Sequence, residues 1–237
     1  MPLISAHRGG APVAGQTAAD RYRHAIDIGA DFVEFDVRKT QDRVAVVFHD
    51  EHLPDGTRIG DLSYGEMAAR LGGEALTLDE LLDIAAGKVG MHLDLKEAGY
   101  EAELIAAVRQ RTHDDRFVIT SEDRIVRTVK DSFPEVRAGL SLGDELAGAP
   151  PWRRLAVRLS EAFPGERLEK SRADFVAAHW QLADFNVLRY CARHAIPAWV
   201  WTVDEEAAIR RYLADPRVAV IITNRPELAL QLRTARA

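Results

Sequence analysis

Val33-Glu34-Phe35-Asp36-Val37 is the stretch of sequence that decides the fold. Side chains alternate between the two faces of a β-strand, so the carboxylates share one face and the apolar residues share the other. In a barrel of parallel strands, the apolar set packs beneath the surrounding helices and the charged set faces the barrel axis. The stretch therefore predicts a barrel strand that carries chemistry on its inner face.

The sequence around this stretch alternates short β-branched runs with longer amphipathic segments. We predict strands near residues 3–8, 32–38, 44–48, 89–96, 117–121, 137–142, 175–180, 198–203 and 218–223, and helices near 17–29, 76–86, 100–112, 122–132, 184–195, 204–214 and 226–235. Such alternation predicts one α/β domain, residues 1–237, folded as a (β/α)₈ TIM barrel. A doubly wound open sheet is the alternative, but its Gly-rich fingerprint is absent after the first strand.

Residues of the capping type mark several predicted helix starts: Asp123, Asp184, Asp204, and Asn224 before Pro226. Residues 50–76 and 143–173 break the alternation, and we interpret both as short insertions on the barrel. From Trp152 to Phe163, Arg is mixed with Leu, Val and Trp. This mixture predicts a helix packed on the barrel, with a membrane-surface helix as the alternative.

Composition narrows the classes of function. Hydrophobic residues make up 47% of the chain and charged residues 29%, which fits a soluble globular domain. No apolar run approaches the roughly 20 residues of a bilayer span, so we expect no stable membrane insertion. The net charge of −6 argues against nucleic acid as a partner. No basic n-region precedes the first strand, and Cys191 has no second cysteine to pair with, so a cytoplasmic location is expected.

Four short motifs stand at predicted strand ends: Val33–Val37 itself, Ala6-His7-Arg8-Gly9-Gly10, Val46-Val47-Phe48-His49-Asp50 and Met91-His92-Leu93-Asp94-Leu95-Lys96. Asp94 and Lys96 share a strand face, as Glu34 and Asp36 do. Carboxylates gathered around an enclosed axis repel one another, and a divalent cation relieves that repulsion. Glu34, Asp36 and Asp94 therefore predict a site for a hard, oxygen-preferring ion, Mg²⁺ or Ca²⁺.

The same motifs predict the handling of a phosphate ester. A divalent cation can act as a Lewis acid on a phosphoryl oxygen, while Arg8 binds another phosphate oxygen and Lys96 adds a point charge. His7 and His49 stand at strand ends, where barrel enzymes place their chemistry, and imidazole titrates near neutral pH. We expect one histidine to act as base and the other to protonate the leaving alkoxide, with the assignment left open.

Together these motifs resemble those of the glycerophosphodiester phosphodiesterases. That family has His-Arg-Gly, then Glu-x-Asp-Val, then Val-Phe-His-Asp, then a strand with an acidic residue two positions before Lys. Trp199–Asp204 resembles its penultimate barrel strand, and Val220–Pro226 resembles its last strand and turn. Each motif alone is weak, but their order and spacing over residues 3–231 are specific.

The resemblance implies a TIM barrel that hydrolyses a small-molecule phosphodiester to glycerol 3-phosphate and an alcohol with the help of a divalent metal. It implies a route in which a glycerol hydroxyl attacks phosphorus and water then opens the cyclic phosphate. Carried over, the acid–base pair would be His7 and His49. The expected metal ligands are Glu34, Asp36 and Asp94, and the expected substrate-binding residues are Arg8, Lys96 and Trp201.

The chain departs from the family pattern in three places. The family's Pro-Glu-Asn-Thr is replaced by Ala14-Gly15-Gln16-Thr17, so Gly15 supplies no carboxylate, although Gln16 can still donate a hydrogen bond. The third metal ligand is usually glutamate, and Asp94 is one methylene shorter. The insertion after His49-Asp50 is short, which favours a more open cleft and a bulkier substrate.

Other interpretations stay open. Asp94 is also familiar from phospholipase D toxins of the sphingomyelinase D type, so a lysophospholipase D or sphingomyelinase D activity on the same barrel is an alternative. A catalytically inactive barrel that binds a phosphorylated ligand is another. We expect His92 to fill a deeper barrel layer, with metal binding as the alternative, and His179 to pack in the core, with cleft lining as the alternative. Trp201 lines the pocket or simply packs in the barrel, and Cys191 is expected to be a packed thiol.

Overall fold

The β-branched runs of the sequence form strands in the computed structural model, which describes residues 1–143 and 150–235. Within these residues the strands are β1 (Leu3–Ala6), β2 (Phe32–Lys39), β3 (Ala45–Val47), β4 (Gly90–Leu95), β5 (Phe117–Ser121), β6 (Ala138–Leu142), β7 (Phe175–His179), β8 (Ala198–Trp201) and β9 (Val218–Thr223). Each of them coincides with a strand predicted from the sequence.

The sheet closes on itself because β1 pairs in parallel with both β2 and β9. In the described part of the chain, eight parallel strands form the closed barrel, and β3 is an added antiparallel strand beside β2. The predicted TIM barrel is thereby confirmed, and the open doubly wound sheet is wrong. In the register of β2 with β4, Asp36 lies directly opposite Asp94, which places two carboxylates at the same height on the axis.

Helices cover the outside of the barrel. They are α1 (Ala18–Asp27), α2 (Tyr64–Arg70), α3 (Leu78–Ala85), α4 (Glu101–Arg109), α5 (Asp123–Ser132), α6 (Pro151–Ala162), α7 (Gly165–Ser171), α8 (Trp180–Leu182), α9 (Leu188–Arg193), α10 (Glu206–Ala214) and α11 (Pro226–Thr234). A π-helical segment, Ala183–Val187, joins α8 to α9. Single 3₁₀ turns occur at His7–Gly9, Ile59–Asp61 and Asp114–Arg116.

The alternation in β2 has the predicted consequence. Val33, Phe35 and Val37 are buried in an apolar cluster with the helices, while Glu34 and Asp36 point into the barrel. The lower barrel interior is filled by a separate cluster of apolar side chains: Val118, Phe175, Ala177, Trp199, Val220 and Ile222. This plug leaves space for chemistry at the carboxyl-terminal end of the strands.

The helix starts use different caps from those predicted. Capping boxes join Thr17 to Asp20, Ser63 to Glu66 and Thr77 to Glu80 at the starts of α1, α2 and α3. The residues predicted as caps occupy other positions. Asp123 is the first residue of α5 and Asp184 lies inside the π-helical segment. The caps of α10 and α11 are Glu205 and Arg225, which leaves Asp204 and Asn224 for another role.

Each of the two insertions contains at least one helix within the described residues. Residues 50–76 contain α2 and pack their own small apolar cluster against Val46. In residues 143–173, α6 confirms the predicted helix but not its predicted packing, because Trp152 and Leu155 are exposed. Cys191 is a buried thiol, as predicted, and burial raises its pKa to about 12.

No helix in the described ranges has the length and apolar character needed to cross a bilayer.

Candidate active site

A cavity of about 390 Å³ lies on the barrel axis at the carboxyl-terminal ends of the strands. It is lined by His7, Arg8, Glu34, Asp36, His49, His92, Asp94, Lys96, Thr120, Ser141, Ala177, Trp201 and Ile222. We call it the axial cavity. A wider opening above it, the outer cleft, shares His7, His49 and Lys96 with it and adds His179 and Gly143. All the site residues predicted from sequence therefore line one continuous depression.

Three carboxylates converge in the axial cavity. Glu34 and Asp36 project from β2 and Asp94 from β4, and one oxygen of each lies within 4.8 Å of the others. Burial, together with the charges of Asp36 and Asp94, raises the pKa of Glu34 well above its usual value. An all-oxygen set under mutual repulsion fits a hard divalent cation, so the residues present suit Mg²⁺ or Ca²⁺.

Two basic side chains contact the same carboxylate. Arg8 Nε lies 2.9 Å from one oxygen of Asp36, and Lys96 Nζ lies 2.9 Å from the other. Lys96 also forms an ion pair with Asp94. Burial acts to raise the pKa of Asp36, but the charges of Lys96 and Arg8 outweigh it and hold that pKa below its usual value. Asp36 is therefore ionised, and both bases are held at the edge of the cavity.

A tight turn after β1 presents His7 and Arg8 to the cavity. Arg8 adopts a left-handed backbone conformation with φ of 52°, and its N–H donates to Glu34 Oε2 at 2.9 Å. Gly9 follows with φ of 76°, and a Cβ there would lie 3.0 Å from the backbone nitrogen of Tyr22 in α1. Glycine is needed at this position because the turn lies directly against the helix.

A hydrogen-bonded chain of side chains holds His7 from behind. His7 Nδ1 lies 2.8 Å from Asn224 Oδ1, and Asn224 Nδ2 donates to Asp204 Oδ2 at 2.8 Å. A carboxylate only accepts hydrogen bonds, so the amide oxygen of Asn224 must face His7 and accept from a protonated Nδ1. His7 Nε2 is then the unprotonated nitrogen of the neutral ring, and it lies 3.9 Å from Glu34 Oε2. Burial, followed by the charge of Arg8, lowers the pKa of His7 and favours that neutral form.

The sequence pattern predicts Asp204 and Asn224 as helix caps and does not identify them as the side chains that hold His7. Asp204 Oδ1 also accepts from the backbone N–H of Asn224 at 2.8 Å and from the Thr223 hydroxyl at 3.1 Å. Their position just beyond two barrel strands was a signal, because active-site groups in barrel enzymes come from that place. The partner of each could not be seen in the sequence.

His49 is held more loosely. It follows β3, the strand outside the barrel, and its Nδ1 lies 2.7 Å from Asp50 Oδ1. Its side chain is 43% exposed, against 16% for His7. The backbone carbonyl of His49 accepts from Arg38 Nε at 2.8 Å, and Arg38 is fixed in turn by Glu97. His49 therefore approaches the axial cavity from its solvent side.

The remaining aromatic candidates, His92, Trp201 and His179, lie at different depths of the site. His92 is buried, with Nε2 2.8 Å from Thr120 Oγ1 and its ring edge-on to Trp199. Burial lowers the pKa of His92 to about 4, which leaves a neutral ring in the deeper layer predicted for it. Trp201 lines both spaces and donates from Nε1 to the Ala177 carbonyl at 3.1 Å. His179 lines the outer cleft, so its predicted core position is wrong.

The segment that departs from the family motif lies beside the site. Gly15 has a φ of 81°, and Gln16 lines two neighbouring pockets beside α1 instead of the axial cavity. Thr17 caps α1. Within the described ranges, this loop adds no carboxylate to the cluster of Glu34, Asp36 and Asp94.

Comparison with known proteins gives concordant matches. Residues 7–135 match the model of the glycerophosphoryl diester phosphodiesterase family. A glycerophosphodiester phosphodiesterase from Caldanaerobacter subterraneus subsp. tengcongensis is 27% identical over 259 residues, covering 97% of each chain. The crystal structure of a glycerophosphodiester phosphodiesterase from Parabacteroides distasonis superposes with a TM-score of 0.80 at 21% identity, over 99% of this chain and 98% of that one. An Oleispira antarctica phosphodiesterase, in complex with the product sn-glycerol-3-phosphate, superposes with a TM-score of 0.71 at 22% identity, over 98% and 96% of the chains.

Proposed function

Because this chain belongs to the glycerophosphoryl diester phosphodiesterase family, we propose that it hydrolyses glycerophosphodiesters to glycerol 3-phosphate and an alcohol. It is a phosphoric diester hydrolase on a TIM barrel. The observation that carries the proposal is the axial cavity, which the carboxylate cluster and two histidines line together. An inactive barrel would have no need to keep a proton acceptor and a proton donor around one cavity.

Glu34, Asp36 and Asp94 would hold the divalent cation, Mg²⁺ or Ca²⁺. When bound, that cation supplies Lewis-acid activation of a phosphoryl oxygen. Arg8 and Lys96 lie on the cavity edge with their charges fixed by Asp36, so the diester phosphate would meet two cations there. Trp201 forms an apolar wall against which the glycerol or the alcohol would rest.

His7 is assigned as the base of the first step. Its unprotonated Nε2 takes the proton of a glycerol hydroxyl, whose oxygen attacks phosphorus to give a cyclic phosphate. The Nδ1–H bond to Asn224 is kept throughout and fixes the ring while it becomes charged. His49 gives its proton to the alkoxide oxygen that leaves, and the alcohol departs through the outer cleft.

The second step reverses these roles. His49, on the solvent side, takes a proton from the water that attacks phosphorus, and His7 returns its proton to the glycerol oxygen as the ring of the cyclic phosphate opens. Both histidines end in their starting protonation states. Their different exposure suits the two steps, since water enters from the side of His49.

A hydrolysis assay tests this function. The purified full chain is given glycerophosphocholine, and glycerol 3-phosphate is measured before and after chelation with EDTA and after readdition of Mg²⁺ or Ca²⁺. We expect loss of turnover with EDTA and recovery with one of the ions. The variant Glu34→Gln should lose about 10²-fold or more in kcat, while Glu103→Gln on the exposed face of α4 should not change it.

Each part of the proposal can fail separately. Full turnover in EDTA would remove the metal from it. Absence of glycerol 3-phosphate from every glycerophosphodiester, with either ion, would overturn the reaction itself.

The outer cleft is continuous with the axial cavity and leaves room for a bulkier diester, which favours lysophospholipids as a second substrate class. Release of a lysophosphatidic or cyclic phosphate as the main product would support that alternative.

A further inference from the structure

Helix α6 presents its apolar residues to solvent. Trp152, Leu155, Leu159 and Phe163 are 72%, 63%, 51% and 59% exposed. The first three are spaced i, i+3 and i+7 and lie along one face of the helix, and Phe163 is the residue at which the helix ends. We call this face the rim stripe. Large apolar side chains exposed as a continuous row, instead of singly, mark an interaction surface.

The opposite side of α6 attaches to the barrel through charges. Glu161 is buried, and its carboxylate accepts from the backbone N–H of Gly143 at 3.1 Å. Arg158 and Arg167 lie 2.7 Å and 3.7 Å from the same carboxylate group. An ordinary amphipathic helix buries its apolar face and exposes its charges. Here the orientation is reversed, so the apolar face of α6 is not used to hold the fold together.

The rim stripe continues toward the active site. The ring of Phe163 contacts that of Phe185 edge-to-face, with centroids 6.4 Å apart, and Phe185 is 64% exposed. Trp180, also partly exposed, lies beside His179 in the wall of the outer cleft. The Gly143 that binds Glu161 lines that cleft as well, and a Cβ on it would collide with His179. The apolar surface and the entrance to the site are therefore on the same end of the barrel.

The exposed arginines of α6 indicate that its partner is anionic. Arg153 and Arg154 are exposed on the helix, and its first turn holds no acidic residue, although the whole chain carries a net charge of −6. Trp, Leu and Phe on one face with Arg on another is the composition of helices that lie in a lipid interface. A second copy of the chain is the competing occupant, and the test below distinguishes it from a lipid surface.

We propose that the rim stripe docks on the surface of an anionic lipid assembly and turns the mouth of the barrel toward it. Trp152, Leu155 and Leu159 enter the interface between head groups and acyl chains, while Arg153 and Arg154 contact the anionic head groups. Docking does not depend on catalysis. Its consequence, delivery of amphiphilic diesters to the outer cleft, rests on the proposed function.

Vesicle flotation tests the docking. The full chain is mixed with vesicles of phosphatidylcholine alone or of equal parts phosphatidylcholine and phosphatidylglycerol. We expect it to float with the mixed vesicles and much less with pure phosphatidylcholine. The double variant Trp152→Ala/Leu155→Ala should lower the partition coefficient by about 10-fold or more, since two buried apolar side chains are lost. The conservative pair Trp152→Phe/Leu155→Met should retain it.

Charge-matched variants separate the rim from the general charge of the chain. Arg153→Gln/Arg154→Gln should weaken flotation with mixed vesicles, whereas Arg116→Gln/Arg193→Gln, at the opposite end of the barrel, should not. Circular dichroism of each variant confirms that it folds. Equal flotation of wild type and Trp152→Ala/Leu155→Ala would overturn the proposal. A concentration-dependent dimer that the same double variant abolishes would also overturn it and assign the stripe to a second copy. Hydrolysis of glycerophosphocholine is measured in parallel, so that failure of the docking proposal can be distinguished from failure of the proposed function.

Discussion

His7 and His49 are the same kind of residue held in two different ways. His7 stands at the end of a barrel strand, is largely buried, and is fixed by Asn224 and Asp204 from the far end of the chain. His49 stands after a strand outside the barrel, is half-exposed, and has only its neighbour Asp50 as a side-chain hydrogen-bond partner among the contacts described. We call the set of contacts that holds each histidine its mount. The mount of His7 is rigid and comes from residues remote in sequence, and the mount of His49 is a sequence neighbour that is open to solvent.

The difference shows what each position requires. A base must present an unprotonated nitrogen in one direction, so its other nitrogen needs a partner whose own orientation is fixed. A group that exchanges protons with the leaving alcohol and the incoming water needs access more than a fixed tautomer. The two mounts therefore support His7 as the first base and His49 as the first acid.

Removing either imidazole gives the largest expected effect. His7→Ala and His49→Ala should each lower kcat by at least ~10²-fold, the usual contribution of acid–base catalysis. Added free imidazole should restore turnover in His49→Ala, where the ring faces solvent, and much less in His7→Ala. Steady-state kinetics with and without imidazole measure this. Near-normal turnover in either variant would remove that histidine from the mechanism, and equal rescue of both would abolish the contrast between the mounts.

Removing the support of His7 gives the next effect. Asn224→Ala leaves the ring in place but frees its tautomer and rotation, so kcat should fall roughly 10-fold, a part of the whole acid–base contribution. KM should change little, because Asn224 does not line the axial cavity. Gln181→Ala, on the exposed face of α8, is the control. Unchanged kcat in Asn224→Ala would show that His7 needs no support from behind.

The two supporting carboxylates, Asp204 and Asp50, should also differ in how much they contribute to the free energy of unfolding. Asp204→Ala removes the acceptor for the Thr223 hydroxyl and for two N–H groups of Asn224, and it should lower the free energy of unfolding by about 1–3 kcal/mol. Asp50→Ala removes an exposed partner and should change that free energy by less than about 0.5 kcal/mol. Urea titration followed by circular dichroism compares them. A larger loss in Asp50→Ala would reverse our assignment of the rigid side.

The smallest effect is expected for Asp50→Ala on activity. An exposed pair of this kind contributes up to about 1 kcal/mol, so kcat should fall by no more than ~5-fold. Asp55→Ala, also on the segment that follows β3, is the control for a general change in charge. A loss comparable to that of His49→Ala would show that Asp50 is as necessary to His49 as Asn224 is to His7.

The strands and the carboxylate cluster could be predicted because their signals are local. Period-two alternation assigns Glu34 and Asp36 to the inner face, and the same alternation assigns Asp94 on β4. The turn that presents Arg8 is not among our sequence predictions, although its signal, the adjacent glycine Gly9, is equally local. None of these inferences needs knowledge of which distant residues meet.

The support of His7 and the orientation of α6 could not be predicted from local patterns. The first depends on closure of the barrel, and the second depends on which face of the helix packs against the barrel. His7 and Asn224 are 217 positions apart and meet only because β1 pairs with β9, so capping was the nearest local explanation for Asn224. For α6, the amphipathic pattern identifies the apolar face. The pattern does not reveal that Glu161 finds buried partners and takes the inner side instead.

The pairing of β1 with β9 makes the assembly of the site depend on the last strand of the barrel. The residues that hold His7, the proposed first base, follow β8 and β9, so its ring is fixed only when the last strand has closed the barrel. A chain in which β8 and β9 have not joined the barrel would lack these contacts to His7. Under the proposed mechanism, full hydrolytic activity would require that both ends of the chain have met in the closed barrel.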